Sequence, residues 1–291
     1  MLRSNYTYLI LSLTLYFLFY VLYQNNSSQF KRSKLILNIC EEKIKYNIVM
    51  LGDSHMSYSI KNKFLSKNHI SLAYPGNSID NWYLYLDKLI ELNICPDTII
   101  IESGNHVIQS RRQGASPVLG HVRYLNVDNV KFLGLFSSVK IAIHHIFPFL
   151  TKNTPIAIKH HFKKQNNNES IKTNRELLDF KQSNDSFKND SSLIQSRINV
   201  LYNNPDSNLI IKYNQLIKKI KDNDIYVIGI NFPVHSYIRQ YQDSLLEKNV
   251  YFDKFFDLTS YENDSVFSDI DHIKLSYSNL FCDSFMSLIN E

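Results

Sequence analysis

The chain has 291 residues, 44% apolar and 20% charged, a balance that excludes wholesale disorder and a multi-span membrane protein and points to one large core. Its formal charge of +5 is spread through Lys- and Asn-rich segments with no basic run or basic–aromatic stripe, so it reads as solvated surface and argues against nucleic-acid binding. Three cysteines, Cys40, Cys95 and Cys282, stand far apart without a C-x-x-C pair, giving neither a disulfide framework nor a zinc signature.

In chain order, residues 6–23 (YTYLILSLTLYFLFYVLY) come first, uncharged for about the length of a bilayer-spanning helix. They are apolar on every face and run straight into Gln24, Asn25 and Asn26 with no small-residue cleavage site. That pattern predicts an uncleaved N-terminal membrane anchor over 1–24 rather than a signal peptide. Arg3 on one side faces Lys31, Arg32 and Lys34 on the other, which leaves sidedness open by charge alone. A linker over 25–44 leads into a domain over 45–291.

Within that domain, strand-like runs at 47–51, 70–73, 98–102, 225–230 and, more weakly, 255–258 alternate with helical spacing at 78–92 and 210–221 and with a closing helix at 276–289. The alternation predicts an α/β fold with a doubly wound, mostly parallel five-stranded sheet. The rhythm breaks at about 131–200, where an apolar stretch near 139–150 precedes a tract rich in Asn, Ser, Lys and Asp. This reads as an irregular insertion, either mobile surface or a lid. Glycine is scarce at seven residues, so Gly52, Gly76 and Gly104, each beside polar residues at a strand end, carry information.

The first strand ends in Gly52-Asp53-Ser54-His55, which puts a serine where open α/β sheets build their sites. A serine hydroxyl needs an adjacent base and donors for the developing oxyanion. Near the other end, Ser268-Asp269-Ile270-Asp271-His272 offers a histidine with an acid three residues earlier, able to present base and orienting carboxylate from one loop. Asp271 is a rival acid, but as the immediate neighbour of His272 it is expected to point elsewhere. Donors are on offer after the second strand, in Tyr74-Pro75-Gly76-Asn77-Ser78, and after the third, in Glu102-Ser103-Gly104-Asn105-His106.

These four blocks, in this order, resemble the SGNH/GDSL hydrolase superfamily over about residues 46–281. The resemblance implies a flavodoxin-like three-layer α/β/α fold. It also implies Ser54 as nucleophile, His272 as base, Asp269 as its acid, and the Ser54 amide, Gly76 amide and Asn105 side chain as oxyanion hole, with Gly52 and Asp53 shaping the serine turn. Ser103 and His106 depart from the family's usual G-x-N-D third block. His55 and the Asp271-His272-Ile273-Lys274-Leu275-Ser276 ending look more like branches that add or remove O-acyl groups on surface polysaccharides. A G-x-S-x-G elbow is absent, since Met56 fills its last position.

The function so implied is a membrane-anchored serine esterase or O-acyltransferase acting on acyl, above all acetyl, esters of cell-envelope glycans. The domain would be extracytoplasmic, with an acylated glycan as substrate, no cofactor, and a membrane-bound acyl donor as a further partner. A lipase reading lacks an amphipathic lid. The alternative from another class is a non-catalytic accessory protein of polysaccharide assembly. Glu102 and His106 suggest a metal pair but show no third ligand nearby in sequence, so no metal site is expected. The doublets His144-His145 and His160-His161 read as surface histidines. Tyr74, Trp82, Tyr83 and Tyr85 fit core packing better than a sugar cleft.

Overall fold

The computed structural model describes residues 11–15, 35–36, 38–109, 127–134, 139, 179, 191–202, 205–241, 245–260 and 263–290. The chain divides into two compact units, one of residues 1–38 with 116–171, the other of 39–115 with 172–291. In the first, the helix Val127–Leu133 and helical residues 11–15 are described. Apart from 11–15, the expected anchor lies outside the described residues, as do both histidine doublets and most of the expected insertion. Among the described residues no helix is long and apolar enough to cross a membrane.

The second unit holds a five-stranded sheet: β1 (Ile48–Leu51), β2 (His69–Ser71), β3 (Thr98–Glu102), β4 (Tyr226–Asn231) and β5 (Lys254–Asp257). Every pairing is parallel and the order is β2-β1-β3-β4-β5, the flavodoxin-like doubly wound order. The inner strands β1, β3 and β4 are continuous apolar runs, as strands covered on both faces must be, whereas the edge strand β5 is half-exposed.

Five helices matter for the site: α1 (Ser54–Ser59), α2 (Ile79–Glu91), α3 (Ser191–Leu201), α4 (Ser207–Lys221) and α5 (Ser278–Asn290). Helices α2 and α4 pack together, Trp82 meeting Tyr213 edge-on at 6.3 Å between ring centroids. Against the sheet, Met56 of α1 and Phe281, Cys282 and Phe285 of α5 close a second core with Met50, Ile100, Ile228 and Ile230. The result is a three-layer α/β arrangement. Trp82, Tyr85, Tyr83 and Tyr74 are all buried, in keeping with core packing. Cys40 and Cys282 are buried thiols, each pushed up to about 12 by burial.

Two expectations change. Residues 191–201 are helical rather than irregular, and Ser54 opens a short helix rather than sitting in a turn. Six residues are too few to show a 3.6-residue period; what starts α1 is its cap, since the Asp53 side chain accepts from His55 N.

Candidate active site

A doubly wound sheet binds ligands where its strand order reverses, here between the carboxyl ends of β1 and β3. The register pairs Leu51 with Ile101, so Gly52 and the β3 terminus at Glu102 leave the sheet side by side. Gly52 sits in the tightest part of this junction: a Cβ there would lie 2.5 Å from Met56 Cβ and 2.7 Å from Glu102 Oε2. Only glycine lets β1 turn into α1 against the β3 terminus.

Ser54 is the first residue of α1 and is half-buried. Its Oγ donates to Asp53 Oδ1 at 3.4 Å. The Gly52 carbonyl accepts from Asn77 Nδ2 at 3.1 Å and Trp82 Nε1 at 3.3 Å, which ties the second block to the first. Gly76 occupies a left-handed turn with φ +81°, a conformation that favours glycine. Asn105 is buried and gives Nδ2 to the Tyr241 carbonyl at 3.2 Å.

The last block forms the dyad that its spacing suggested. Both Asp269 oxygens lie 2.9 Å from His272 Nδ1. An antiparallel bridge between Phe267 and Ile273 closes this loop, and Ser268 donates to the His272 carbonyl from N and Oγ at 2.9 and 3.1 Å. Burial raises the Asp269 carboxyl, but the hydrogen bond and charge of His272 outweigh it and hold the group well below the usual carboxylate range. Nε2 of His272 is buried with no hydrogen-bond partner among the described residues. Helix α1 abuts this ring: Tyr58 meets it edge-on at 4.5 Å and the His55 ring lies 5.2 Å away.

Ser54 and His272 therefore flank the same junction, yet no hydrogen bond joins them, because the Ser54 hydroxyl is turned to Asp53. Such bonds are often long in ligand-free enzymes and tighten when substrate binds. The expectation that Asp271 points away does not hold. Its Oδ1 is 3.3 Å from His272 Nδ1 and is ion-paired with Arg197, which also reaches Asp269 at 3.4 Å. Arg197 comes from α3, in the segment read as irregular insertion, so nothing in the local sequence announced it. Burial raises the Asp271 carboxyl, opposed by His272 and His55.

Behind Ser54 lies a cluster that sequence reasoning missed. Asp53, His55, Glu102 and His106 are each no more than 2% exposed. His106 Nε2 is 2.7 Å from Glu102 Oε1 and 3.5 Å from Asp53 Oδ1; His55 Nδ1 is 3.3 Å from both oxygens. Glu102 Oε2 accepts from Asp53 N at 2.7 Å. Burial lowers the His55 imidazole, but hydrogen bonds to Asp53 and Glu102 outweigh it and push it up to about 10. The fold brings to Glu102 and His106 two further candidate ligands, Asp53 and His55, from the cap and first turn of the helix that follows the neighbouring strand β1, so the expectation of no metal site for want of a third ligand does not hold. The available signal was a D-S-H and an E-x-x-x-H at two strand ends, readable only once β1 and β3 are known to be adjacent.

No protein-family model and no curated protein matches this chain.

Proposed function

We propose that the chain is a serine-dependent ester hydrolase or O-acyltransferase of SGNH type, with Ser54 as nucleophile, His272 as base and Asp269 as the acid that orients it. The observation that carries this reading is the Asp269–His272 dyad, whose free Nε2 is buried against the helix that Ser54 opens. In this scheme Ser54 Oγ turns from Asp53, attacks the acyl carbonyl and gives its proton to His272 Nε2. The ester C–O bond then breaks and the departing alcohol takes that proton. Water or a glycan hydroxyl attacks the acyl-serine, again losing a proton to His272, and as the acyl–Oγ bond breaks that proton returns from His272 to Ser54 Oγ. The Ser54 and Gly76 amides and the Asn105 side chain hold the oxyanion.

The substrate class, an acetyl or similar ester on a cell-envelope glycan, rests on the resemblance of the four sequence blocks. So do the membrane tether over 1–24, the extracytoplasmic domain and a membrane-bound acyl-donor partner. A fluorophosphonate probe tests the chemistry: wild type is labelled at Ser54, and Ser54→Ala is neither labelled nor able to turn over a chromogenic acetyl ester. A wild type that neither labels nor hydrolyses sinks the enzyme reading. One observation favours the second reading, a non-catalytic accessory protein of polysaccharide assembly: the Ser54 hydroxyl is bonded to Asp53 and not to His272.

A further inference from the structure

We propose that Asp53, His55, Glu102 and His106 form a closed site for one first-row divalent transition ion, Zn2+ foremost. This goes beyond the serine chemistry and does not depend on it. The four ligand atoms, Asp53 Oδ1, His55 Nδ1, Glu102 Oε1 and His106 Nε2, all lie within 4.8 Å of one another. Around their ring the separations are 3.3, 3.3, 2.7 and 3.5 Å. Bonds of about 2.0–2.1 Å from a tetrahedral zinc place its ligands roughly 3.3 Å apart, so three of these four separations already match, the Glu102–His106 separation must open, and the two remaining pairs lie within 4.8 Å.

The donor chemistry agrees. Two imidazoles and two carboxylates suit zinc and its first-row neighbours, whereas Mg2+ and Ca2+ want six or more oxygen ligands that this pocket does not offer. Two carboxylates at such depth need compensating charge. The two imidazole rings stand with centroids 3.9 Å apart and planes 31° from parallel, and a dication among these groups would supply that charge. The carboxylates are also held in place from behind, Glu102 by Asp53 N at 2.7 Å and Asp53 by His55 N at 3.0 Å.

All four ligands come from the protein and none is exposed, the pattern of a structural rather than a catalytic ion. Its position defines its role: it clamps the end of β1 to the end of β3, one residue either side of Ser54. None of the four is a triad member, and so the serine reading and the metal reading can fail separately.

The test uses the full-length chain in detergent. After chelator treatment and dialysis, Co2+ is titrated and its visible absorption recorded, then displaced with Zn2+, and metal content is measured by mass spectrometry. The expected result is one equivalent of ion per chain, an intense tetrahedral Co2+ spectrum, bleaching by Zn2+ and a higher melting temperature with Zn2+. His106→Gln and Glu102→Gln, near-isosteric changes, should each weaken binding at least tenfold. Absence of stoichiometric Co2+ or Zn2+ binding by wild type overturns the proposal, whatever the variants do. So does binding that survives unchanged in both variants.

Discussion

Replacing Gly52 with Ala adds one methyl group at the most crowded point of the molecule. The new Cβ meets Met56 Cβ and Sδ at 2.5 and 2.7 Å and Glu102 Oε2 at 2.7 Å. Met56 is fully buried in the core between sheet and α1, so it has no free space to retreat into, and such overpacking costs about 1–3 kcal/mol. Glu102 must also move, which lengthens the 2.7 Å bond from Asp53 N, a buried hydrogen bond to a carboxylate of the kind that contributes about 1.5–3 kcal/mol. The two effects share one displacement and do not simply add, so a loss of about 2–5 kcal/mol is expected. Urea unfolding followed by circular dichroism reads this as a lower midpoint at unchanged slope. Adding Met56→Ala removes the Sδ contact but keeps the Met56 Cβ and Glu102 contacts, so the pair should recover only a small part of the sum of the singles. A Gly52→Ala protein within about 0.5 kcal/mol of wild type would refute the claim that the β1–α1 junction is sterically closed.

Two further outcomes follow from the His272 loop. Asp269, flanked by His272, Asp271 and Arg197, has its folded-state pKa depressed below the unfolded value of about 3.9, so its contribution is present above that pH and lost as pH falls through the folded value. The stability gap between wild type and Asp269→Asn, from urea unfolding at successive pH values, should therefore narrow below about pH 4; a gap independent of pH down to 3 contradicts the depression. Arg197→Met strips an ion-pair partner from buried Asp271 and should destabilise by about 1–3 kcal/mol, less than a fully buried pair would lose because Arg197 is 36% exposed. Asp271→Asn in the same protein should recover most of that loss, and no recovery would mean that Arg197 acts by packing alone.

The sheet was legible in the sequence because its central strands are buried on both faces: TIIIE reads as a strand at 98–102 and is one. Boundaries moved where caps rather than apolar residues decide them. Helix α4 begins at Ser207, three residues before its apolar period, because the Asp206 side chain caps Asn208 N. Helix α3 shows no legible period in the sequence because it is weakly amphipathic and follows a polar tract. Its burial against the sheet-end loops is a tertiary effect: Ile198 and Tyr202 pack with Val234, Ile238 and Ile270.

The site divides along the same line. Asp269 and His272 are three residues apart, and their pairing follows from one loop. The quartet joins residues about fifty apart, and its existence depends on β1 and β3 being neighbours in a particular register, which no local pattern states. That register gives Asp53 its central position. Its Oδ1 accepts from His55 N and Ser54 Oγ and faces His55 Nδ1 and His106 Nε2, so four groups crowd one oxygen. A carboxylate oxygen drawn to a cation is a weaker acceptor, and the half-exposed Ser54 hydroxyl is the donor least constrained by the backbone. Metal in the quartet therefore favours release of Ser54 from Asp53 toward His272, whereas a purely protonic network holds it on Asp53. Fluorophosphonate labelling rates with and without bound Zn2+ would register that difference at the nucleophile itself.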